Sequence, residues 1–235
     1  RTLLLSFFFL LATCSVYAQP CSLPGMTPLT AIAVCGTTTF VQDSVTSCQG
    51  PPISGTGACG GTNASDNAFW YKFHCFQSGT LGFLITPQNL SDDYDWEMFD
   101  VTNVLTVNQV YTDETLMRSL NLCGSPNGIT GCTPAGIDSI NCGGATSLVN
   151  RLATLIAGHD YLLMVNNWSN SGLGYSLSFS GGTAVITNNV PPVINSVTTL
   201  GCNTAALKVV FSKDIRCSSV TLSGSEFSIT PGAPV

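Results

Sequence analysis

Tyr175, Leu177 and Phe179 alternate with Ser176, Ser178 and Ser180. A period of two puts one face of a strand in a core and the other in water. This is the sharpest constraint in the chain, and other segments agree with it. Phe69 to Phe76 is an aromatic run of strand type, and Ser78-Gly79 is a turn. Leu81, Phe83 and Ile85 then alternate with Gly82, Leu84 and Thr86. Thr37–Gln42, Tyr94–Val101 and Tyr161–Val165 complete the clear strands. Residues 107–111 read as extended, and residues 114–122 as a helical turn or a strand. Residues 124–145 read as one long loop. Short strands, turn signals and almost no helical periodicity indicate an all-β, disulfide-stapled β-sandwich. The expected fold is jelly-roll-like, followed by part of an Ig-like sandwich.

Four regions are expected. Residues 1–18 have the form of a secretory signal peptide: Arg1, an apolar run from Leu3 to Ala12, and Val16-Tyr17-Ala18 with small residues at the two positions a signal peptidase reads. That run is too short for a membrane span, which needs roughly 20 residues. Leu11-Ala12-Thr13-Cys14 loosely matches a lipoprotein box, so lipidation of Cys14 is the variant reading. Residues 19–187 form the sandwich domain, and residues 188–192 form a linker containing Pro191-Pro192. Residues 193–235 hold short strands at 193–199, 207–211, 220–222 and 227–229, too few to close an Ig-like sandwich of about 100 residues. The chain begins with Arg and stops at Pro234-Val235. It reads as a piece of a longer exported protein.

Of 11 cysteines, Cys14 lies in the signal segment. The remaining set is Cys21, Cys35, Cys48, Cys59, Cys75, Cys123, Cys132, Cys142, Cys202 and Cys217. An even number in an exported chain is expected to be oxidised to disulfides. Cys202 with Cys217 is the one pairing that proximity suggests. No C-x2-C pair or histidine spacing suits zinc.

Charged residues are only 9% of the chain, against ~25% in ordinary proteins. Without a Lys/Arg cluster, nucleic acid and anionic membranes are poor partners. No transmembrane span is expected. No G-x-S-x-G or H-E-x-x-H motif is present, and His74 and Cys75 are strand neighbours that point to opposite faces. The chain is therefore expected not to be an enzyme.

Two features suggest binding instead. Asp92, Asp93, Asp95, Glu97 and Asp100 fall within nine residues. Asp93, Asp95 and Asp100, with carbonyls of the loop 89–93, could hold Ca²⁺, which takes 6–8 oxygens. The alternative is a solvated acidic edge that discourages strand pairing. Both readings stand at this point, and neighbours on one strand face cannot flank a glycosidic bond as a glycosidase requires. Trp168 lies in a polar loop, 166–172, where an aromatic side chain suits contact with a ligand such as a sugar. Asn63, Asn89 and Asn167 each begin a glycosylation sequon, which carries weight only in a eukaryotic secretory route.

Several motifs occur in a recognisable order: Trp70-Tyr71-Lys72-Phe73, Gly79-Thr80-Leu81-Gly82-Phe83, Asp93-Tyr94-Asp95-Trp96-Glu97-Met98-Phe99-Asp100, Leu155 to Val165, and Gly174 to Phe179. Over roughly residues 69–180 the chain resembles the bacterial pre-peptidase C-terminal type of β-sandwich. It is similar to the N-terminal domain of large exported Bacteroidetes surface proteins, gliding-motility-associated cargo of type IX secretion. The tail resembles bacterial Ig-like domains. The resemblance implies a cell-surface, adhesive or accessory role, with an extracellular glycan or protein ligand and no catalytic residues. The alternative is an accessory domain of a secreted hydrolase whose catalytic domain lies elsewhere.

Overall fold

The computed structural model describes residues 19–34, 39–54, 59–124, 127–144, 146–188, 190–200 and 206–213, with scattered positions from 215 to 228. The proposed signal peptide with Cys14 therefore lies outside the described residues, as do Cys35, Cys202 and Cys217. The expected strands at 220–222 and 227–229 fall partly outside them.

The protein is an all-β sandwich. Its first sheet has six strands: β1 (Ile32–Ala33), β5 (Ala68–His74), β13 (Asp160–Asn167), β7 (Tyr94–Asp100), β8 (Met117–Asn121) and β10 (Ile140–Asn141), in that spatial order. The second sheet runs β11 (Val149–Asn150), β9 (Thr130–Cys132), β6 (Gly79–Pro87), β14 (Leu173–Gly182) and β2 (Phe40–Ser44), with β12 (Ala153–Leu155) also paired to β6. Two small ribbons stand apart, β3 (Ile53–Ser54) with β4 (Thr62–Asn63), and β15 (Ile194–Thr199) with β16 (Leu207–Phe211). Among the described residues the longest helix is the five-residue 3-10 segment Val107–Tyr111. None is long and apolar enough to cross a membrane.

The main core lies between the two sheets. Tyr71, Phe73, Trp96, Met98, Tyr161, Leu163 and Val165 from the first sheet meet Phe83, Ile85, Tyr175, Leu177 and Phe179 from the second. Phe83 and Trp96 pack edge to face at 4.8 Å. The polar atoms that burial would strand are paired: the Trp96 indole donates to Thr130 Oγ1 at 3.0 Å, and the Tyr71 and Tyr175 hydroxyls share a 2.8 Å bond. Each large apolar side chain buried here stabilises the fold by about 1.5–3 kcal/mol.

A second core covers the outer face of the first sheet. Trp70, Phe99, Met117, Leu120, Leu162 and Met164 pack there beneath Ala31, Ile53 and Val110. This cover overturns the acidic-edge reading. β7 is paired on both sides, to β13 and β8, and all seven of its residues are buried. An edge guard needs an open ladder and solvent, and β7 has neither.

Other expectations need correction. Residues 107–111 are 3-10 helix, capped by Thr106, whose side chain accepts from the Asn108 amide. Residues 114–122 divide into a 3-10 turn, Glu114–Leu116, and then β8. The stretch read as one loop contains β9 and β10. Disulfides join Cys21 to Cys48 and Cys59 to Cys142. Cys75 and Cys132, expected to be oxidised, are buried thiols. Both lie in the inter-sheet core, where Cys75 Sγ donates to the Gln77 carbonyl at 3.1 Å. Burial pushes the Cys132 thiol up to about 12, so each behaves as a small apolar side chain.

Candidate functional site

β7 enters the sandwich from a turn at Asn89–Asp92, whose side chains and amides bond one another. The loop after β13 docks onto that entrance. The Trp168 and Ser169 amides both donate to the Asp93 carbonyl, at 3.0 and 3.4 Å, and the Asp93 amide donates to Ser169 Oγ at 2.7 Å. Ser171 Oγ donates to Asp92 Oδ2 at 2.6 Å. The loop is tight enough to need left-handed backbone at Asn170 and Gly172, φ 49° and 75°. Asn is the non-glycine residue that tolerates this geometry best. Buried Asn167 fixes the loop from below, donating to the Tyr94 hydroxyl, Ser171 Oγ and the Leu173 carbonyl. Trp168 is thereby held beside Asp93 while 60% exposed.

The facing wall comes from far earlier in the chain. β3 and β4 form a two-stranded ribbon, and Asp66 Oδ1 accepts from the Gly50 amide at 2.8 Å. The Cys59–Cys142 bond ties this wall to the end of β10, and Cys21–Cys48 holds the segment before it. Between the walls lies a cavity of about 620 Å³, lined among others by Gln49, Asn63, Asp66, Asp93, Asp95 and Trp168. That volume falls in the usual range for small-molecule sites.

Three residues singled out from the sequence, Asp93, Asp95 and Trp168, thus line one cavity. Asp100 does not join them. It is five residues beyond Asp95, about 17 Å along an extended strand, at the opposite end of the sandwich. Asp100 Oδ1 accepts from Thr102 Oγ1 at 2.6 Å, and Oδ2 meets His159 Nδ1 at 2.8 Å and Arg118 Nη2 at 3.5 Å. A calcium site built from Asp93, Asp95 and Asp100 is therefore excluded by distance. Among the described residues, no three Asp, Glu, His or Cys side chains converge closely enough to hold an ion by themselves.

The carboxylates at the cavity are electrostatically unusual. Burial, then the charges of Asp93 and Glu97, push Asp95 up to about 8. Burial pushes Glu97 up to about 7, partly offset by the nearby Asn63 side chain. Burial raises Asp93 as well. Asn63 comes close enough to favour the Glu97 carboxylate without a well-aligned hydrogen bond, since its Nδ2 and both Glu97 oxygens are without partners. Glu97 and Asn166 are not in the ligand set that the sequence suggests. Glu97 belonged to the acidic run, but its complete burial depends on a cover contributed by distant segments. Asn166 looked like an ordinary loop residue.

The two histidines lie away from this site. His74 Nδ1 meets Asp160 Oδ1 at 2.8 Å, and His159 serves Asp100. No family model, curated protein or solved structure matches this chain.

Proposed function

We propose that this chain is a non-catalytic binding and scaffold module of a larger exported protein, acting outside the cell or on its surface. Its ligand site is the cavity between the β3–β4 ribbon and the 168–172 loop. The observation that carries this reading is Trp168. A large aromatic side chain is exposed on a loop fixed by five hydrogen bonds from its backbone and hydroxyls to Asp92, Asp93 and the preceding strand. It stands next to carboxylates and amides that can accept from or donate to hydroxyl groups. An aromatic face beside polar groups suits a saccharide, whose ring offers an apolar face and a hydroxyl rim. The resemblance to surface proteins carried by gliding-motility-associated secretion agrees with this role. The all-β architecture and its disulfides are compatible with an oxidising, extracellular setting.

Tryptophan fluorescence tests the proposal, because Trp70 and Trp96 are fully buried and Trp168 is not. Quenching by acrylamide therefore reports on Trp168. A panel of soluble oligosaccharides should contain one that protects Trp168 and shifts its emission to the blue, and Trp168→Ala should abolish that binding. If peptides protect Trp168 and no saccharide does, the ligand is a protein. If nothing in either panel reaches Trp168, the cavity is not the binding site.

A further inference from the structure

Behind Asp95, at the inner wall of the cavity, lies a group of buried polar atoms without well-aligned hydrogen-bond partners. Asp95 Oδ1, Glu97 Oε1 and Oε2, Asn166 Oδ1 and Asn63 Nδ2 are buried and without hydrogen-bond partners. Asp95 is 8% exposed, Asn166 1% and Glu97 0%. An unsatisfied buried polar atom costs about 1–3 kcal/mol, and more when charged. Native folds rarely leave several together.

These atoms share one face. Asp95 and Glu97 are two apart on β7, and Asn166 is the direct cross-strand partner of Asp95. Directly opposed residues of an antiparallel pair project to the same side. The Asn166 amide nitrogen is already committed to the Ala64 and Asp66 carbonyls, which leaves its oxygen turned away from that loop. Asn63 approaches Glu97 from the β4 side. Elsewhere the protein satisfies a buried asparagine in full: Asn150 donates to Ser119 Oγ and the Leu120 and Ser139 carbonyls, and accepts from Asn121 and Asn141. Among the described residues Trp70 Nε1, Thr133 Oγ1 and Asn167 Oδ1 are also unpaired, but the carboxylates without partners are Asp95 and Glu97 alone.

We infer that this group is a binding site for a hard divalent cation of calcium size, held by Asp95, Glu97 and the Asn166 side-chain oxygen. Alternate residues on one strand face stand about 6.6 Å apart at the backbone. An ion with oxygen ligands at 2.3–2.6 Å can bridge carboxylates so spaced. Carboxylate and amide oxygens select calcium over softer metals. The set is mixed, two carboxylates with an amide, as it must be where no three acidic side chains converge. A half-turn of the Asn63 amide adds an oxygen, and water or ligand hydroxyls from the cavity complete the shell. The donors differ from the sequence-derived set: Asp93 and Asp100 leave it, and Glu97 and Asn166 enter. The inference rests on the unsatisfied atoms and is independent of what occupies the outer cavity.

Calcium titration of chelator-treated protein tests it at pH 7.5. Calorimetry should show one ion per chain. The melting temperature should rise by about 5–10 °C at a hundredfold excess over Kd, and less with magnesium. Glu97→Gln should abolish the rise while the chain remains folded, and Asp95→Asn should do the same should the first variant fail to fold. Asp100→Asn should keep it. An unchanged melting curve in the unmutated protein overturns the inference, as does full retention of the shift in both Glu97→Gln and Asp95→Asn. Saccharide protection of Trp168 with no calcium effect removes the ion and leaves the binding reading intact. A calcium effect without ligand protection does the reverse.

Discussion

The two ends of β7 carry the same kind of side chain in opposite states. At one end Asp100 is surrounded by donors. Burial alone would raise it, but the Thr102 hydrogen bonds and the His159 imidazole outweigh burial and hold it below the usual carboxylate range. At the other end burial dominates at Asp95 and Glu97, with negative neighbours beside Asp95 and only Asn63 offsetting it at Glu97, and they are pushed up to about 8 and about 7. The contrast shows what separates a structural carboxylate from a candidate binding carboxylate here. Both are buried on one strand. Only the end that opens onto the cavity is left unsatisfied.

The largest expected effect comes from releasing the wall that encloses the unsatisfied end. Cys59 and Cys142 are 83 residues apart in sequence, and closing a loop of that length stabilises a fold by about 4 kcal/mol in the chain-entropy account. The double replacement Cys59→Ala, Cys142→Ala should lower stability by roughly that amount in urea unfolding. Hydrogen exchange should rise at residues 59–66 and 140–144 before it rises around Asp100 and His159. Equal loosening at both ends would break the comparison.

Acidity should separate the ends next. Asp95 and Glu97 have folded pKa values raised above an unfolded range near 4. Their contribution is fully present below that range and is lost as pH climbs through 4 towards about 8 and about 7. Chelator-treated protein should therefore gain stability, by about 4 kcal/mol, as pH falls from 8 to 6. Asp100 acts in the opposite direction. Its contribution is present at neutral pH and is lost only as pH falls through its depressed value. Urea midpoints at pH 8, 7 and 6 in chelator decide the matter, and a flat or rising profile with pH would contradict the assignment.

Paired substitutions sharpen the same point. In metal-free protein at pH 8, Glu97→Gln should stabilise the fold by about 1 kcal/mol, because it removes a buried charge without a partner. Asp100→Asn should destabilise it by about 1–2 kcal/mol, because it weakens charge-assisted hydrogen bonds. Opposite signs from two acids on one strand are the expected outcome of equilibrium unfolding.

Much of this arrangement was legible in the sequence, and the losses have physical causes. The alternation from Tyr175 to Phe179 identified β14, and the aromatic run identified β5, because both present one face to a large apolar core. Trp168 stood out because a polar loop gives an aromatic little reason to be there. For β7 the sequence leaves an acidic edge open beside a calcium site, and the edge is not what the fold builds. Alternating acids and aromatics look the same whether the acidic face meets water or a second layer, and that layer is built from Ala31, Ile53 and Val110, which are distant in sequence. Asp100 was grouped with Asp95 because closeness in sequence suggests closeness in space, which an extended strand defeats. Cys75 and Cys132 were counted as half-cystines because an even cysteine total cannot show which members face the core. Asn166 was missed because its role depends on register, which only the pairing of β13 with β7 supplies.

The smallest expected effect on stability belongs to Trp168→Ala. At 60% exposure its removal should change stability by less than about 0.5 kcal/mol. The same substitution should remove ligand binding, and a large stability loss would make Trp168 a packing residue.

The contrast between the two ends of β7 is tested most directly by a carbon-13 NMR titration of the Asp95, Glu97 and Asp100 side-chain carboxyls in metal-free protein. The account predicts that Asp95 and Glu97 titrate near 8 and 7, and that Asp100 titrates below the usual carboxylate range. Three carboxyls titrating together near 4, the ordinary value, would contradict it.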